Sequence, residues 1–175
     1  MPLLKVVSPE NADGKIKEAY SFFEKMGASV PLPMQMVSTS PDLLAIHSQT
    51  LQYFVNHPTL SFPLLAHIRL LVADKEDYPY CVKLNEGMLQ MMGGLTKEQI
   101  DAAKVDPEKV QLPAKDKALL LHVLKVIQDP ALSVQKDVDA LRGLGWTDRD
   151  IFDAINHGLS MVSAGMAFKI FHMGK

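Results

Sequence analysis

Apolar residues recur at three- and four-residue intervals along almost the whole chain, and no strand-length stretch alternates convincingly. That period belongs to helices that bury one face, so the sequence predicts an all-α fold. After Asn11-Ala12-Asp13-Gly14, the positions Ile16, Ala19, Tyr20, Phe23 and Met26 share a face, and Gly27 offers a stop. Pro31-Leu32-Pro33 restarts the chain into a short helix ending near Thr39. Ser40 and Pro41 then cap and open another, with Leu43, Leu44, Ile46, His47, Leu51 and Phe54 inward.

The most apolar helix is expected from about Ser61 to Lys75, at the centre of the core. A charged corner, Asp74-Lys75-Glu76-Asp77, leads into a helix of about Tyr78 to Met92, lined by Leu84, Met88, Leu89, Met91 and Met92 and stopped by Gly93-Gly94. If the preceding helix persists through the corner, Arg69 and Glu76 share a face as charge partners. Thr96 caps a short helix to about Ala103, Ala114 to Gln128 forms another, and Val134 to Leu141 a shorter one. Thr147-Asp148-Arg149-Asp150 opens a last long helix reaching about Met173. Gly158 and Gly165 inside it would each cost about 1 kcal/mol against alanine if exposed. Close packing against a neighbouring helix is the expected compensation.

A chain of 175 residues, 47% of them hydrophobic, supports one substantial core. A single domain over 1–175 is expected, with a short N-terminal arm at about 1–12; the segment from Asp106 to Pro113 separates two halves. Formal net charge is -2, from 18 Lys plus Arg against 20 Asp plus Glu, and no basic stripe marks a nucleic-acid binder. The run from Phe62 to Ala73 is interrupted by His67 and Arg69 and is too short to span a bilayer. The N-terminus has too short an apolar run for a signal peptide. A cytoplasmic protein without membrane segments is expected. Broad apolar arcs on several helices point to a homo-oligomer.

Cys81 is the only cysteine, so no internal disulfide can form. It stands in the first turn of its helix, where exposed amides favour a thiolate by roughly 0.3–1 kcal/mol. That would lower a thiol from about 8.5 to about 8. Asn85 lies one turn further on the same face, able to donate a hydrogen bond to the sulfur or to a bound peroxide. His67, on the preceding helix, could face the cysteine across the corner, and Asn156-His157 on the last helix comes second. No His-x-x-x-His or Glu-x-x-His pair marks a metal site, so neither a metal nor an organic cofactor is expected. The methionines read as gap-filling core, and Tyr78 and Tyr80 as packing at the corner.

The order of apolar helix, charged corner, Tyr78-Pro79-Tyr80-Cys81 and a helix ending in Gly93-Gly94 resembles the alkylhydroperoxidase D and carboxymuconolactone decarboxylase family (AhpD-like). Pro113-Ala114-Lys115-Asp116-Lys117-Ala118-Leu119 and the stretch from Val138 to Ile151 resemble the second half of its peroxidase-related members. The resemblance covers most of the chain from about Gly27 onward and implies an AhpD-like multi-helical domain. In the redox branch, a Cys-x-x-Cys pair followed by a histidine, with a glutamate on the preceding helix, reduces peroxides with the help of a disulfide-reducing partner. Here those places hold Tyr78, Cys81, Asn85 and Ala66, and the histidine often found before the second cysteine is Tyr80.

The resemblance therefore implies a thiol-dependent, peroxidase-like oxidoreductase acting on small hydroperoxides through Cys81, with Asn85 and His67 in the pocket. An external thiol or thiol-protein would resolve the sulfenic acid. Two alternatives stand beside it: a non-redox, decarboxylase-like reaction on a small organic acid, and a non-catalytic oligomeric or ligand-binding protein.

Overall fold

A computed structural model describes residues 2–173, so residues 1, 174 and 175 of the expected domain lie outside the described residues. Among the described residues there is no strand, and the chain is all-α. Its helices are α1 (Gly14–Lys25), α2 (Leu32–Val37), α3 (Pro41–Val55), α4 (Phe62–Lys75), α5 (Pro79–Met91), α6 (Lys97–Val105), α7 (Ala114–Gln128), α8 (Gln135–Gly143) and α9 (Asp148–Ile170). Short 3-10 turns at Pro9–Asn11, Pro107–Lys109 and Pro130–Leu132 were not anticipated. Each begins with a proline, whose fixed φ suits a tight turn. No described helix is long and apolar enough to cross a membrane.

The chain packs as two compact units, one holding residues up to His57 together with the chain from Met166 onward, the other Pro58–Gly165. In the first, Ile16, Ala19, Tyr20, Phe23, Val30 and Leu44 form a common core. The arm is tied to this unit by the Val7 amide donating to Ser38 Oγ at 2.8 Å and the Tyr20 hydroxyl donating to the Val7 carbonyl at 2.9 Å. Gly27, at φ +66°, ends α1 as expected, and the Ala28 amide bonds back to the Phe23 carbonyl.

The second unit is built on α4, whose residues Leu64 to Ile68 and Leu70 to Ala73 are all buried. Ser61 caps it, its hydroxyl accepting from the Leu64 amide. The corner after α4 closes by two bonds, Tyr78 amide to Ala73 carbonyl at 2.9 Å and Asp77 amide to Asp74 carbonyl at 3.2 Å. Asp77 takes the left-handed conformation at φ +55°, the position usually given to glycine in this kind of helix stop. Pro79 then opens α5, which leaves Cys81 as its third residue.

This corner corrects one expectation. Glu76 lies past the end of α4, so the face it would share with Arg69 ends first, and Arg69 finds its partners on other helices. A second correction concerns α5. Leu89 is fully buried, but Met91 and Met92 are 87% and 61% exposed at the helix end and do not line the core. The glycine expectation holds: a Cβ at Gly165 would meet the Tyr78 ring, and one at Gly158 would meet Ile127 and Val123.

Candidate functional site

Cys81 is 4% exposed and packs with Ala73 and Tyr78, flanked by Tyr80, Val82 and Met161. Burial pushes its thiol up from the ordinary range. The helix start was expected to lower it, but a dipole effect of under about 1 kcal/mol is outweighed by desolvating an anion. Among the described residues, no cation or hydrogen-bonding side chain is found to offset that penalty.

The place where a resolving cysteine would stand is filled by Tyr78. Its ring lies against Gly165 of α9 and its hydroxyl donates to the Val162 carbonyl at 3.2 Å. Tyr78 is therefore a wedge between α5 and α9, shaped by the absence of a side chain at Gly165.

Asn85, expected on the Cys81 face with a donor for the sulfur or a bound peroxide, is 1% exposed. Its Nδ2 donates to the Cys81 carbonyl at 2.8 Å, one turn back along α5. Its Oδ1 accepts from Arg69 Nε at 2.7 Å. Because arginine only donates, the amide orientation is set by the network. Asn85 thus ties α5 to α4, and its donors turn to the backbone and not to the sulfur.

Arg69 is the centre of this arrangement. Besides Asn85, its Nη1 donates to His157 Nε2 of α9 at 3.1 Å, and its Nη2 approaches the Met88 sulfur at 3.8 Å. Desolvation lowers the guanidinium to about 10, still far enough above neutrality for it to remain a cation. Its partners are all uncharged or, for histidine, must present a lone pair.

His67 does not join the cluster. It is 1% exposed, its Nδ1 donates to the Pro63 carbonyl at 2.7 Å, and its Nε2 has no hydrogen-bond partner. Burial pushes its pKa down, more than the Pro63 bond raises it. No hydrogen bond joins it to Cys81 or Asn85. Ala66, where the family pattern has a glutamate, is fully buried.

Of the residues singled out in the sequence, the structure brings Asn85 and the Cys81 backbone together with His157, and leaves His67 apart. The residue missed was Arg69. The available signal was a lone arginine in the most apolar helix of the chain, flanked by Ile68 and Leu70.

Among the described residues, no group of three or more His, Cys, Asp or Glu is placed to hold a metal ion. A shallow surface pocket of about 180 Å³ lies elsewhere, between the end of α4, α6 and α7, lined by Leu71, Val72, Lys104, Leu124 and Ile127.

No family model and no curated protein matches this sequence. Solved structures do. An uncharacterized peroxidase-related protein from Ralstonia eutropha JMP134, described as an alkylhydroperoxidase AhpD core, matches with a TM-score of 0.82 at 18% identity, over 98% of this chain and 90% of that one. An uncharacterized peroxidase-related protein from Silicibacter sp. TM1040 matches at 0.80 and 19%, over the same shares. The chain has the AhpD-like, peroxidase-related fold.

Proposed function

We propose that this chain handles a small organic acid by non-redox means on an AhpD-like scaffold. The observation that carries this reading is the state of Cys81: 4% exposed, packed among apolar and aromatic groups, with its ionisation opposed by burial. A peroxidatic sulfur must be reachable and partly anionic. The Tyr78 wedge and the absence of a carboxylate at Ala66 point the same way, since neither a resolving thiol nor a proton relay of the redox kind can be built there. The whole chain is taken as one domain of this fold, because both solved relatives match over 98% of it. The exposed Met91 and Met92 support a surface for self-association.

The test is peroxide consumption by the native protein, with hydrogen peroxide and a small alkyl hydroperoxide, and dithiothreitol as the external thiol. The wild type and Cys81→Ser are expected to match the protein-free rate. A rate that exceeds this background and disappears with Cys81→Ser overturns the reading.

A second reading rests on the peroxidase-related description of the two solved relatives. In it, the Cys81 thiolate attacks the peroxide oxygen, releasing an alcohol or water and leaving a sulfenic acid. An external thiol then forms a mixed disulfide with loss of water, and a second thiol frees the cysteine. The same assay separates the two.

A further inference from the structure

Arginine carries five N–H donors and no acceptor. At Arg69, Nε is used by Asn85, one Nη1 hydrogen by His157, and one Nη2 hydrogen by the Met88 sulfur. The second hydrogen on each terminal nitrogen has no described partner. The Met88 contact is also the weakest of the three, a thioether at 3.8 Å on a flexible side chain.

Among the described residues, no carboxylate is paired with the group. Glu86 of α5, the nearest acid in sequence to this cluster, is paired with Lys104 of α6. Burial opposes the guanidinium charge. A half-buried cation without a counter-charge is unfavourable, and an anion that reaches it gains charge-assisted bonds to a fixed planar fork.

We propose that Arg69 anchors a binding site for a small monocarboxylate, seated along the Nη1–Nη2 edge as Met88 swings aside. Asn85 and His157 are positioning residues. They hold the guanidinium plane through Nε and Nη1, and they leave the outer edge to the ligand. This names the substrate class for the non-redox reading and rests on that reading for its function, though not for its binding.

The test is calorimetric titration of the full chain with sodium acetate at constant chloride, with acetamide as a neutral molecule of similar shape. Acetate is expected to bind saturably, with acetamide at least tenfold weaker. Arg69→Met should abolish acetate binding while the fold persists, because exchanging a half-buried charge for an apolar chain of similar volume is often neutral. Should that variant not fold, Arg69→Lys keeps the charge and loses the planar fork, and it should bind acetate about tenfold more weakly.

Equal binding of acetate and acetamide, no saturable acetate binding, or an arginine variant that binds acetate like the wild type would each overturn the site. A protein that binds acetate through Arg69 and also consumes peroxide through Cys81 keeps the site and loses the non-redox reading. Failure of acetate binding without peroxide turnover removes the site alone.

Discussion

Alanine at position 165 would place a methyl carbon 1.9 Å from Tyr78 Cε2, 2.0 Å from Cδ2 and 2.3 Å from Cζ. Carbon atoms settle about 3.5–4.0 Å apart, so the ring or α9 must move by roughly 1.5 Å. The ring has little freedom, because its hydroxyl is bonded to the Val162 carbonyl and its backbone amide closes the corner on Ala73. Overpacking of this kind costs about 1–3 kcal/mol, and losing the phenol bond adds about 1 kcal/mol. Better helix propensity returns about 1 kcal/mol.

Gly165→Ala should therefore destabilise by about 2 kcal/mol in urea denaturation. Gly87→Ala is the control: a Cβ there meets nothing within 4 Å in the middle of α5, so it should stabilise by about 0.5–1 kcal/mol. In a Tyr78→Ala background the clash is gone, and Gly165→Ala should change sign to stabilising, a coupling of about 3 kcal/mol. If Gly165→Ala behaves like Gly87→Ala, or if the two sites prove additive, then Tyr78 is not a wedge and position 78 was open to a smaller residue.

Burial lowers the pKa of both His67 and His122, so the unfolded chain binds protons at these sites more readily than the folded one. Stability should be full above about pH 6.5, the ordinary histidine value, and fall as pH drops through it towards the folded values. His67→Phe should flatten part of that slope in a series of melting curves. Cys81 in the native protein should react with iodoacetamide at least tenfold more slowly than a free thiol at pH 8, and unfolding should erase the difference. Asp77→Gly should stabilise by about 0.5–1 kcal/mol in denaturant titration, because glycine takes φ +55° without the strain a Cβ imposes. If Met91 and Met92 lie in a contact between copies, replacing both by Glu should lower the mass seen by light scattering without lowering helix content.

The helices were legible because their signals are local. Apolar spacing, Gly27 and the Thr96 cap with Gln99 each act within one turn, and each appears where the spacing puts it. Boundaries moved by one to three residues, the most at the end of α9, as helix ends do. The site was less legible because its bonds span long separations, 16 residues from Arg69 to Asn85 and 88 from Arg69 to His157. From the sequence, Asn85 reads as a donor to the sulfur, because nothing within its own helix announces an arginine arriving from α4. The Arg69–Glu76 pair failed for the opposite reason. It assumed helical continuity that the left-handed Asp77 corner breaks.

One departure from the redox pattern, Asn85, is tied directly to Arg69. Neither alanine at 66 nor asparagine at 85 can give or take a proton at neutral pH. The space between those helices instead holds a guanidinium, three positions after Ala66. An asparagine suits that neighbour better than a protonatable histidine would, because its Oδ1 accepts at every pH while its Nδ2 stays on the Cys81 carbonyl. His157 completes the frame from α9 by offering Nε2 as an acceptor. A cation framed by neutral acceptors on two sides is arranged to be fixed in place with its charge left uncancelled. Cys81 supplies a backbone carbonyl to that frame, and its sulfur faces the Tyr78 cluster. Arg69 is thus held by α5 and α9 through neutral acceptors, while the sulfur one turn from Asn85 packs apart from it.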